Sequence, residues 1–188
     1  MATLNSNNYA VGGIDLYFDT TVGHASLLDT TGTVMVGSNF RTSARSLGNI
    51  TTSEIAADVT YLEHFISVNG KRRRDKVVSN VESISIPFTF DEVNQTNLQR
   101  SMLASDLGGS KLAPMQEPVM RGSASLVFVS PNGNNLVYSI PKAIIRPDGN
   151  LAIGDGTDWW SQPMMLDIEY LATSDHWASK PYGVVEFV

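Results

Sequence analysis

Every second residue from Ile84 to Phe90 is apolar: Ile84, Ile86, Phe88 and Phe90, with Ser85 and Thr89 between them. A two-residue period cannot form the stripe of an amphipathic helix. It lays apolar side chains on one face of a half-buried strand. The same period returns at Ile14, Leu16 and Phe18, with Asp15, Tyr17 and Asp19 opposite, and again at Ala124, Leu126 and Phe128 against Ser125, Val127 and Val129. Shorter strands are expected at 25–28 and 34–36 around the turn Asp29-Thr30-Thr31-Gly32, and at 136–140, 143–145, 151–153 and 164–171 between further Pro- and Gly-containing turns. Residues 50–68 fit a helical spacing as well, through Ile55, Val59, Leu62 and Ile66, but their β-branched content favours extended chain. Asn69-Gly70 then marks a tight turn.

The period changes once. Val93, Leu98, Met102 and Leu103 form a helical stripe that Asp91 or Asn94 can cap and Gly108-Gly109 can stop, predicting a helix over 91–104. Many short strands and one helix make a mainly β chain, an antiparallel β-sandwich or barrel with one flanking helix. The expected domain runs over 1–172. A C-terminal arm over 173–188 ends in an apolar run, 184–188, that needs a partner surface.

Of 188 residues 42% are hydrophobic, enough to fill one core, and 17% are charged against the usual ~25%. The net charge of −6 disfavours nonspecific attraction to DNA or anionic lipid. The chain has no cysteine, which excludes disulfides, a thiol nucleophile, iron–sulfur clusters and Cys-based zinc sites. No run reaches the ~18 apolar residues of a spanning helix, and the start Met1-Ala2-Thr3-Leu4-Asn5-Ser6 lacks the charge and apolar stretch of a leader, so a soluble protein made in the cytoplasm is expected.

Catalytic constellations find no footing. His24, His64 and His176 lack metal-ligand spacing, and Glu63-His64 and Asp175-His176 are neighbours that a strand would turn to opposite faces. Gly122-Ser123-Ala124-Ser125 lacks the closing glycine of a nucleophile elbow. Gly154-Asp155-Gly156 opens no helix, and Asp148, Asp155 and Asp158 miss the EF-hand spacing. No catalytic, cofactor or metal site is expected, and the chain reads as a non-enzyme. Trp159-Trp160 suits a sugar platform or an interface. The basic run Lys71, Arg72, Arg73 and Arg74, followed by Asp75, stands out in an acidic chain. A solvated turn is the plain reading. Nucleic-acid binding would want interleaved aromatics or a second basic patch. Complementarity to acidic residues on another copy of the chain suits a run at the tip of a polar excursion better.

Leu47-Gly48-Asn49-Ile50, the strand into Glu63-His64, Gly70 with Arg72 and Asp75, then Ser85-Ile86-Pro87-Phe88-Thr89-Phe90-Asp91-Glu92 and Asn97-Leu98 together resemble the major tail tube proteins of long-tailed, non-contractile bacteriophages. The resemblance is best over 47–103, more than a quarter of the chain, and lies in the order of parts more than in any single motif. It implies a β-sandwich subunit of the virion tail, assembled in the host cytoplasm, that closes six to a ring. Stacked rings would make a tube holding the tape measure protein and then the exiting genomic DNA, bounded by tail terminator and tail tip proteins, with no membrane partner. By position, 59–80 would be a long inter-ring loop with Lys71, Arg72, Arg73, Arg74 and Asp75 at its contact. The helix would pack beside the barrel, and the N-terminal arm and 174–188, with Val184, Val185 and Phe187, would contact other subunits. The apolar last segment and the dense basic tip depart from the family pattern. Asp15, Glu82, Asp167 and Glu169 are the candidates for an acidic channel lining that keeps DNA from sticking. Rival readings are a tail terminator or completion ring of similar fold, a sugar-binding β-sandwich and a jelly-roll hydrolase.

Overall fold

A computed structural model describes residues 13–21, 40–117, 119–129, 135–152, 160–171 and 177–187. The strands expected at 25–28 and 34–36, and His24, Asp155, Asp158, Trp159 and His176, lie outside these residues. The described elements are β1 (Gly13–Asp19), β2 (Ile50–Ser53), β3 (Ala56–Val68), β4 (Lys71–Phe90), α1 (Gln95–Ser101), β5 (Ser105–Gly108), β6 (Lys111–Ala113), β7 (Met120–Val129), β8 (Leu136–Pro147), β9 (Gln162–Ile168) and β10 (Val184–Phe187).

Eight strands pair into one antiparallel sheet in the order β1-β7-β8-β9-β4-β2, with β3 added to β4 and β10 to β8. The alternation read from the sequence sorts the faces. In one row Ile86 lies opposite Leu166, Leu166 opposite Ile145 and Ile145 opposite Met120, and all four are buried in a single core with Leu16, Phe18, Leu126, Ile140, Phe88 and Phe90. The mainly β, antiparallel fold with one helix is as expected, although the sheet is not closed into a barrel.

The segments 136–140 and 143–145, expected as two strands, are one. The register with β7 slips between Ile140 and Ala143, so Pro141, which has no N–H to donate, sits in a bulge where a central strand can carry it. The slip also lets β8 serve two partners end to end: β10 along Leu136 to Ser139 and β9 along Ala143 to Pro147. The apolar C-terminal run therefore finds its partner within its own chain, where the first half of β8 has an edge that β9 does not reach. Just before it, Trp177 is buried with Phe40, Val127 and Val137 in a second, smaller cluster on the outer face of the sheet. Of the expected strand 151–153, Ala152 makes only an isolated bridge to Ser161, and the strand expected at 164–171 is Gln162–Ile168.

The segment before β2 returns along the free edge of β1: the Phe18 N–H donates to the Arg45 carbonyl at 2.8 Å and the Leu47 N–H to the Leu16 carbonyl at 2.9 Å. α1 plugs this seam with polar side chains. Asn94 caps its start, and Asn97, Arg100 and Ser101 form its buried side. Asn97 Nδ2 donates to the Leu47 carbonyl at 3.0 Å, and Arg100 donates to the Phe18 carbonyl at 3.1 Å. The apolar stripe expected over 91–104 is thus not the buried face, and Val93 is 50% exposed. The helix is seven residues long because the chain turns at Leu103, whose φ is 46°, and enters β5; Gly108-Gly109 belongs to the β5–β6 hairpin and stops no helix.

Candidate assembly interface

β4 is 20 residues long, and β9 pairs only with its last part, Ile84 to Phe90. Before Ile84 its only partner among the described residues is β3. The segment expected as a long loop over 59–80 is therefore a two-stranded ribbon, closed by Asn69 (φ 52°) and Gly70 (φ 71°) in the left-handed pair that a tight hairpin turn requires. Eleven residues of β3 beyond the sheet give it a reach of roughly 35 Å at about 3.3 Å per residue. Two bulges on β4, at Asn80 and Asp75, add twist along it.

A lone ribbon buries neither face, and both faces of this one are partly apolar. Leu62, Ile66 and Val78 share one face by register; Tyr61, Phe65 and Val77 share the other. All six are exposed, Tyr61 at 60% and Leu62 at 57%. Two-stranded hairpins are marginal in water without a third layer, and apolar patches rimmed by charge mark contact surfaces. The expectations at the tip concern only its charges. The large apolar side chains behind it, Leu62 and Ile66 among them, read as extended chain in the sequence, but their exposure does not, because it depends on what fails to pack against them. The usable signal is apolar residues at both odd and even positions of a segment that ends in a charged tight turn.

At the tip the cations fall into two groups. Arg72 lies over the Phe65 ring, 4.4 Å from its centroid, and Arg74 donates to Glu63 at 2.7 Å. Among the described residues no ion pair engages Lys71, Arg73 or Lys76. Asp75, the bulge residue, takes His64 Nδ1 at 3.1 Å, so the acid that meets this imidazole is not its sequence neighbour Glu63. Lys71 to Lys76 carry five cations against Asp75, a net +4 that leaves −10 for the rest of a chain totalling −6. The positive charge is concentrated at the tip of the ribbon, in a chain that is otherwise acidic.

Of the residues proposed to line a channel, Asp15 faces outward on β1 and Glu82 is exposed at the root of the arm. Asp167 and Glu169 lie elsewhere on the outer face and are not bare acid. Arg146 Nε donates to Asp167 at 2.6 Å, while Lys142 and Arg121 approach Glu169 at 3.2 and 3.3 Å. The bond to Asp167 raises the Arg146 pKa, against a smaller desolvation effect. These four carboxylates do not form one patch. In the C-terminal strand Val185 and Phe187 keep exposed side chains, 50% and 78%, although their backbone pairs with β8, and Val184 packs against the Trp177 cluster. Trp160, expected with Trp159 to form a ligand platform or an interface, is half-buried, and its buried indole N–H has no partner among the described residues.

Among the described residues no helix is long and apolar enough to cross a membrane. Compared with known proteins, residues 29–122 match the family described as "Protein of unknown function UCP028589". That match takes in β2, β3, β4 and α1, and so the whole arm. No curated protein matches the chain.

Proposed function

The chain belongs to the family described as "Protein of unknown function UCP028589", and from that premise we propose that it is a structural subunit of a phage tail tube, closing into hexameric rings that stack into a conduit for the genome. The observation that carries this reading is the arm: a long ribbon, apolar on both faces and basic at its end, that its own body leaves uncovered. Such an element gains stability only by lying on another molecule, and identical neighbours supply an acidic surface of the complementary sign. The resemblance of 47–103 to major tail tube proteins gives the same segment the same use.

Ring closure requires a heterologous contact, in which different surfaces of one subunit meet. Here the arm offers one such surface and the acidic body the other. An acidic body also suits a wall past which DNA slides, since like charges repel within about 8–10 Å at ordinary salt. Asp15 and Glu82 are then the better candidates for the wall, because Asp167 and Glu169 already hold cations.

Negative-stain microscopy of the purified chain tests the proposal. Rings or striated filaments are the expected outcome. Sedimentation of a solitary particle at every concentration would overturn it, and rings that never elongate would favour a terminator or completion ring.

A further inference from the structure

The arm's own root carries a seat that its tip cannot reach. Glu54 and Ile55, immediately before β3, lie between two recesses. On one side is an apolar hollow of about 400 Å³ lined by Ile14, Ile55, Leu126, Phe128 and Leu136. On the other is a smaller cleft of about 250 Å³ with a mixed lining that includes Asp148, Thr52, Phe88 and Met164. Glu54 borders both, and among the described residues no ion pair engages it. The hollow is open to solvent at Ile55, which is 48% exposed.

The tip presents the complement. Ile66 and Arg73 are direct cross-strand partners on one face of the ribbon, an exposed aliphatic side chain beside a cation that no described residue pairs. Roughly 35 Å of extended ribbon separates this pair from its own root, so it can fill a seat only on another molecule.

We propose that the arm tip of one copy docks at the arm root of the next, Ile66 entering the apolar hollow and Arg73 meeting Glu54. The proposal rests on the assembly reading and supplies the acceptor that reading lacks. Tip and root are different surfaces, so each docked copy still offers a free tip at one end and a free seat at the other. The contact is heterologous and repeats from copy to copy, and the arm's reach bears on the spacing of successive copies.

The absence of cysteine makes the test clean. In the double variant Ile55→Cys, Ile66→Cys, mild oxidation of assembled material is expected to give a ladder of covalent multimers on a non-reducing gel, while each single variant gives dimers at most. Arg73→Glu and Glu54→Arg are each expected to raise the concentration needed for assembly about ten-fold or more, and the two together to recover it. Tubes that form normally but give no ladder, or paired swaps that do not rescue each other, overturn the seat and leave the assembly reading standing. In the single variant Ile55→Cys, a thiol as protected from reagent in the solitary subunit as in tubes would assign the hollow to another part of the same chain and also overturn the seat. A chain that never assembles overturns both.

Discussion

Arg100 shows how a single side chain can hold a sheet that does not close. Its guanidinium donates to the Phe18 carbonyl at 3.1 Å and to Asn97 Oδ1 at 3.4 Å, and it lies 5.7 Å from the centroid of the Phe18 ring. Burial pushes its pKa down to about 10, with Asp19 acting weakly in the other direction. Arg100→Met is expected to cost about 3 kcal/mol in urea unfolding, because it leaves the buried Phe18 carbonyl without its donor. Next to it, Asp19 titrates below its ordinary 3.8: burial would raise it, but hydrogen bonds from Arg45 and Thr21, and the charge of Arg45, outweigh that. The unfolded chain then binds the proton more tightly, so this stabilisation is present above pH 3.8 and is lost as the pH falls. Asp19→Asn should flatten the acid side of a stability-versus-pH curve. Tyr138 is the alkaline counterpart. Burial raises its hydroxyl to about 12, and it donates to the Tyr182 carbonyl at 2.8 Å. Its contribution is present below pH 10 and lost between 10 and about 12. Arg100 has the opposite slope, its contribution rising as the pH climbs above about 10. Comparison with Tyr138→Phe isolates the tyrosine, and the expected difference is a loss of alkaline destabilisation.

At the scale of elements, the arm separates folding from association. Leu62, Ile66 and Val78 touch solvent in the solitary subunit, so replacing all three by Thr should change unfolding by no more than about 0.5 kcal/mol per site while abolishing polymerisation. A large loss of stability would assign those residues to the subunit's own core. Glu at Arg72, Arg73 and Arg74 together should likewise leave a folded subunit that forms no tubes, measured by sedimentation. How much of this is legible in sequence follows from the physics of each element. Period-2 alternation over 84–90 and 14–18 is a local property, and the strands fall where it indicates. The helix misleads because its buried side is Asn97 and Arg100, chosen by unpaired carbonyls across the seam, which no local pattern reports. The C-terminal run does need a surface, as its apolar residues suggest, but which surface depends on a register slip at Pro141 that only the folded sheet reveals. The arm's charges are conspicuous; its apolar faces are not, because exposure is a property of what fails to pack.

For the whole molecule, the separation of +4 at the tip from −10 elsewhere predicts strongly salt-dependent assembly. Raising salt from roughly 0.05 to 0.5 M shortens the screening length from above 10 Å to a few ångströms and should slow tube growth, measured by light scattering. Growth unaffected by salt would leave only the apolar contacts to account for association. Removing 184–187 tests the integration of the C-terminal strand: because β10 covers the edge of β8 beside Tyr138, its loss should lower the melting temperature of the subunit itself, not assembly alone. The ribbon has one more consequence. Among the described residues both of its long edges are bare of backbone partners, the condition in which strands from unrelated chains stack into amorphous or fibrous deposits, and a row of cations next to the turn is how proteins guard such edges. Neutralising that row, Lys71 to Arg74, with Gln should therefore yield turbidity and precipitate where reversing it yields clear monomer, so the same four side chains act as gatekeepers while the subunit waits to be used.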